Sequence, residues 1–104
     1  MAIETTQVGN TATTVYTSSG DSAVTFVSFT NATGSAVDID LHIVPNGDSV
    51  GNVNLVAKTL TVDATDTYFL YSSGEKLLLG NADTIVCTAN TASAINSVIS
   101  YTSI

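Results

Sequence analysis

Asp38, Asp40 and His42 stand at i, i+2 and i+4 of the run Val37–Val44, and so on one face of a strand. Neighbouring side chains on such a face lie about 7 Å apart. That is loose for a single ion, so a metal would need a further ligand from a loop, such as Asp48. The plainer reading is a solvated row that keeps the strand soluble and, at a sheet margin, resists edge-to-edge pairing. Asp63 and Asp66 flank a tight turn, where two carboxylates and backbone carbonyls could hold Ca²⁺. Asp in such turns also accepts nearby backbone N–H groups without any ion. Cys87 is the single cysteine, so no intrachain disulfide can form. Within Thr84-Ile85-Val86-Cys87-Thr88 it reads as a small core hydrophobe. A nucleophilic thiol would need a basic partner in an electropositive setting, and the chain has one His and two Lys.

The remaining chemistry is thin. A hydrolytic triad would rest on His42 alone. Paired carboxylates for glycoside cleavage would need a cleft, commonly lined by aromatic platforms, and the chain has no Trp. Asn31-Ala32-Thr33 matches a glycosylation sequon, which carries no weight without an export signal. The expectation is therefore a protein that is not an enzyme and has no cofactor and no resident metal.

The elements that would position these residues are strands. Ser22–Thr30 shifts its apolar phase midway, from Val24 and Phe26 to Val27 and Phe29, which predicts a bulge near Phe26 or a strand covered on both faces. Val53–Val62 changes phase as well, with Val53, Leu55 and Ala57 on one side and Leu60 and Val62 on the other. Thr13–Thr17, Thr84–Ala89 and Ile95–Ser103 are β-prone, the last two read as a final hairpin. Asn31-Ala32-Thr33-Gly34-Ser35 reads as a hairpin turn, with Gly34 at positive φ. Pro45-Asn46-Gly47-Asp48 ends the alternating strand, because Pro donates no ladder hydrogen bond and Asn-Gly favours a tight turn. No segment carries a helical stripe. Turn signals about every 8–12 residues point to an all-β, immunoglobulin-like antiparallel β-sandwich of seven or eight strands. Residues 1–11, polar and aperiodic, read as an N-terminal arm, and residues 12–104 as the single sandwich domain.

Composition narrows the partners. Nine Asp and Glu against two Lys give a formal net charge of -7 at pH 7. An excess of carboxylates argues against a nucleic-acid backbone, which is held by basic side chains, and against an anionic membrane surface. No transmembrane stretch and no signal peptide are expected. Ser and Thr make up 29 of 104 residues, a composition typical of proteins exposed outside cells. A virion protein, made in the host cytoplasm and released by lysis, reconciles that surface with the missing export signal.

Several stretches also resemble a known group when taken in order. They are Thr14-Val15-Tyr16-Thr17-Ser18, Phe29-Thr30-Asn31-Ala32-Thr33-Gly34 and Leu41-His42-Ile43-Val44-Pro45-Asn46-Gly47, followed by Asp66-Thr67-Tyr68, Leu78-Leu79-Gly80-Asn81-Ala82-Asp83-Thr84-Ile85 and the closing Ser100-Tyr101-Thr102-Ser103-Ile104. This order is similar to small β-sandwich virion structural proteins of tailed bacteriophages, especially cyanophages. The resemblance implies a non-enzymatic part of a virus particle: a capsid decoration, or a tail, neck or baseplate component. It carries over no catalytic or binding residue. The alternative is a glycan- or receptor-binding module on the virion surface.

A structural role needs a contact surface. The run Tyr68-Phe69-Leu70-Tyr71, within Thr67–Ser72, is apolar on both faces, and one sheet can cover only one of them. Three consecutive leucines, Leu77-Leu78-Leu79, cannot all point one way either. Phe69, Tyr71, Leu77, Leu78, Tyr101 and Ile104 are the expected protein-interface residues. The expected partners are other virion proteins and further copies in a homo-oligomer.

Overall fold

The structure, a computed structural model, describes residues 2–70 and 77–104. Its elements are β1 (Ala2–Val8), β2 (Thr13–Thr17), β3 (Ser22–Asn31), β4 (Val37–Val44), a 3-10 turn at Asn52–Asn54, β5 (Leu55–Val62), β6 (Thr67–Phe69), β7 (Leu77–Leu79), β8 (Thr84–Ala89) and β9 (Ile95–Ser103). Two antiparallel sheets pack as a sandwich. Sheet I runs β1-β9-β3, with β6 and β7 both on the far side of β3, and sheet II runs β2-β8-β4-β5.

The antiparallel sandwich is as expected; its strand order is not the immunoglobulin one. There the first two strands are neighbours in one sheet. Here β1 pairs with the last strand and β2 lies in the opposite sheet. Successive strands alternate between sheets except at the β4–β5 hairpin and between β6 and β7, which lie on the same side of β3. This is the double-Greek-key order of a jelly roll, with β6 and β7 sharing one edge position. The described residues form nine strands, because that edge holds both β6 and β7.

Two expected hairpins are accordingly crossovers. β3 and β4 lie in different sheets, as do β8 and β9. Turn residues say that the chain reverses, not which sheet it enters. Residues 32–36 cross the roughly 10 Å between sheets, and Asn31 directs them. Its buried Nδ2 donates to Ser35 O at 2.7 Å and to Val62 O at 3.0 Å, while Oδ1 accepts from Thr33 N at 2.9 Å and Thr33 Oγ1 at 2.7 Å. Every hydrogen-bonding position of the amide is used. Gly34 therefore has no need of positive φ; among the described residues the positive-φ glycines are Gly20 and Gly47.

Residues 2–8, expected in a loose arm, form an edge strand paired with β9 from Ala2↔Tyr101 to Val8↔Ile95. Its side chains hide this from the sequence, because only Val8 is buried. The ladder, rather than an apolar face, holds β1.

The core lies between the sheets. Val24, Val27, Phe29, Ile95 and Ile99 of sheet I meet Val15, Ile39, Leu41, Ile85 and Cys87 of sheet II. The predicted β3 bulge is present. Register against β9 shifts between Val24 and Phe26, so that Val24 and Val27 both face inward while Thr25 and Phe26 are exposed. β5 solves its phase change the same way, with shifts opposite Ile39 and Leu41 that leave Thr59 at φ 51°.

Candidate interaction surface

The side chains that leave sheet I on its outer face can be read from the register. One row across the sheet is Ile3, Ser100 and Phe26; the next is Thr5, Val98, Ser28 and Phe69; a third is Gln7, Asn96, Thr30 and Thr67. Towards the other end lie Thr102, Ala23 and Leu78. None of these side chains is ionisable. Four are large and open to water: Ile3 is 67% exposed, Phe26 39%, Phe69 53% and Leu78 66%. The Phe26 and Phe69 rings meet edge to face, with centroids 5.8 Å apart. Such a pair fixes ring geometry before any partner arrives. The summed exposure equals a little over two whole side chains, so covering it is worth roughly 4 kcal/mol per copy at 1.5–3 kcal/mol for each fully buried side chain.

The bulge in β3 creates this surface. Without the extra residue, alternation would turn Phe26 inward with Val24. With it, Phe26 joins Ala23 and Ser28 on the outside. The two pieces of the neighbouring edge flank this level, with Phe69 opposite Ser28 and Leu77 opposite Val24. Leu70 donates its N–H to Val27 O at 3.1 Å.

The residues expected at an interface divide. Phe69 and Leu78 lie on the outer face of sheet I. Leu77 is half-buried and packs against the core. Tyr101 points inward, its ring 4.7 Å from that of Tyr16. Ile104 is 71% exposed, beyond the end of β9, and its N–H is tied to Asp21 O at 3.1 Å. Tyr71 lies outside the described residues. Sequence reasoning missed Ile3, assigned to an arm, and Phe26. The phase shift in Ser22–Thr30 was the signal for Phe26; nothing in a polar edge strand singled out Ile3.

The outer face of sheet II is different in kind. Asp38 and Asp40 project from β4, and both are engaged locally. Asp40 Oδ1 accepts from Thr59 N at 2.7 Å, and Asp38 Oδ1 from Thr61 Oγ1 at 2.8 Å. The first bond holds the β5 bulge, where a β-branched residue sits in the left-handed region at a cost of about 1–3 kcal/mol. A depression of about 300 Å³ opens here, lined by Asn10, Asp38, Asp40, Thr59, Thr88, Ala89 and Asn90. His42, on the same side of β4, is only 7% exposed and stands between Val86 and Leu55 in the register. Its Nδ1 has no hydrogen-bond partner among the described residues. A general base oriented by a carboxylate is therefore not assembled around that nitrogen.

The other singled-out groups are structural. Asp66 N donates to Asp63 O at 3.0 Å and Asp66 Oδ1 accepts from Thr67 N at 2.8 Å, so this pair shapes the β5–β6 turn. Among the described residues no three His, Cys, Asp or Glu side chains are grouped to hold a metal. The Asn31 sequon amide is sealed in the core, as described above. Cys87 is fully buried, and burial, with the Asp40 carboxylate adding to it, pushes the thiol from 9.0 up to about 12. A thiol held protonated in this way is not a nucleophile at neutral pH.

Comparison with protein-family models, with curated proteins and with solved structures found no match for this chain. Its function is therefore argued from these two faces.

Proposed function

We propose that this chain is a non-enzymatic structural protein of a bacteriophage virion, a capsid decoration or a tail, neck or baseplate component, that acts by packing. The observation that carries the reading is the outer face of sheet I: four open apolar side chains on a surface without an ionisable group among the described residues, in a chain of net charge -7. A solitary soluble domain gains nothing from such a face, and contiguous apolar surface of this kind marks contact sites. The partners are other virion proteins and further copies, with many weak contacts adding through avidity. The setting is that of the small tailed-phage virion proteins which the ordered motifs of this chain resemble. Jelly rolls serve as viral capsid domains and as lectins, a fold-level analogy compatible with this role.

The glycan- or receptor-binding alternative would use the depression on sheet II. Both of the carboxylates that line it already serve Thr59 and Thr61, and no aromatic ring lines it. Sugar sites more often stack a ring on the ligand, so the packing role is favoured.

Immunogold labelling of purified particles with an antibody to this chain tests the role. Labelling at a regular position on intact virions is expected. Particles that carry no label and release no such chain on denaturation would refute it.

A further inference from the structure

We propose that two copies of this chain pair face to face through the outer surface of sheet I, about a two-fold axis, with Phe26 of the inner strand β3 near the centre and Ile3 on one edge and Phe69 and Leu78 on the other towards the margins. The proposal rests on the packing role above and names its first partner.

Charge selects that partner. Each copy carries -7, so two copies repel wherever their carboxylates meet. Among the described residues, Asp38 and Asp40 occupy the outer face of sheet II, and Asp21, Asp48, Asp63, Asp66 and Asp83 lie in connections between strands. Glu4 is on β1 opposite Ile99, a register position of the other face. Among the described residues, the outer surface of sheet I is thus the broad side on which two equally acidic copies can approach with no carboxylate between them. A strongly basic partner would find its match elsewhere on the molecule.

Area agrees. Four strand positions spaced about 4.8 Å apart and about nine residues long give a flat face of roughly 600 Å². Side-chain relief brings it to the order of 800 Å² per partner, the size of a standard specific interface. A two-fold contact sets this patch against its own copy, so that apolar meets apolar and the Thr and Ser hydroxyls of the surround meet each other. Twisted sheets stack about 10 Å apart in this way inside sandwiches.

Sedimentation velocity over a concentration series tests the pairing. Wild type should shift from monomer to dimer as concentration rises. Phe69→Asp and Leu78→Asp should each raise the dimer dissociation constant at least tenfold, with circular dichroism reporting the fold. Ile3→Asp, on an edge strand outside the core, decides the matter should either of the others fail to fold, and should weaken the dimer several-fold. Val53→Asp adds the same charge at a 99% exposed turn position and should leave the constant unchanged. A wild type that stays monomeric to millimolar concentration overturns the inference, as does a dimer that survives all three face variants. A monomer in solution with label still on virions would sink the pairing alone; a dimer with unlabelled virions would sink the virion role alone.

Discussion

The outer faces of sheets I and II are built from the same kind of strand, yet they treat water oppositely. On sheet II, Asp38 and Asp40 spend their carboxylates on Thr61 and Thr59, so charge there shapes the backbone of β5. On sheet I the hydroxyls and amides are neutral, and the large side chains left over, Ile3, Phe26, Phe69 and Leu78, are 39% to 67% open. Each face owes its character to a bulge. The β5 bulge is held by an acid and turns outward as polar surface; the β3 bulge rotates an aromatic ring out of the core. A single inserted residue can thus create either a solvated face or a contact face, depending on which side chain it turns outward.

Four changes would break or sharpen this contrast. The largest effect is expected at Asn31, which joins the sheets through Val62 O and shapes the crossover between β3 and β4. Asn31→Ala takes the donor from the buried Val62 O and the acceptor from the part-buried Thr33 N–H, and should cost about 2–3 kcal/mol in urea unfolding. Both faces would lose their mutual setting.

Next is the acid that holds the β5 bulge. Asp40→Ala should destabilise by about 1–2 kcal/mol, read as a lower denaturation midpoint, because Thr59 N loses its acceptor. Asp40→Asn, which keeps an oxygen there, should cost less than half as much. Neither should alter self-association.

Third comes alkaline pH. The Cys87 thiol ionises near 9.0 when exposed in the unfolded chain and near 12 when folded. Between those values the unfolded state sheds a proton that the folded state keeps, so stability is fully present below pH 9 and falls as pH rises towards 12. By pH 10 the loss should be about 1 kcal/mol. Cys87→Ala should remove that slope between pH 8 and pH 10, at the cost of a small cavity. The same burial should make native Cys87 unreactive to thiol reagents at pH 8.

The smallest effect separates the faces by salt. Apolar pairing of two like-charged copies should tighten about two- to threefold between 20 and 300 mM salt as the repulsion is screened. Contacts made through acidic groups would weaken instead.

Much of this was legible in the residues. The alternation of Val37–Val44 gave its inner side directly, and the phase shift after Val24 located the β3 bulge. Asn46-Gly47 marked a turn with Gly47 at φ 89°. Pairing was not legible. β1 shows no alternation because almost all its side chains meet water, and crossovers carry the same turn residues as hairpins. The contact face was only half visible for the same reason. Phe69 and Leu78 betrayed themselves by excess hydrophobicity within their runs. Phe26 was signalled only by the phase shift that marks the bulge, while Ile3 reaches the same surface through a register with β9 that local sequence does not encode.

The central claim is that the outer face of sheet I is covered in the assembled state and open in a solitary copy. Hydroxyl-radical footprinting of dilute chain and of intact particles measures this directly, with Val53 as the internal reference because it is 99% exposed. Labelling of Phe26, Phe69 and Leu78 relative to Val53 should fall several-fold on assembly, while sites on the outer face of sheet II keep theirs. Equal labelling of the three residues in both states would contradict the account.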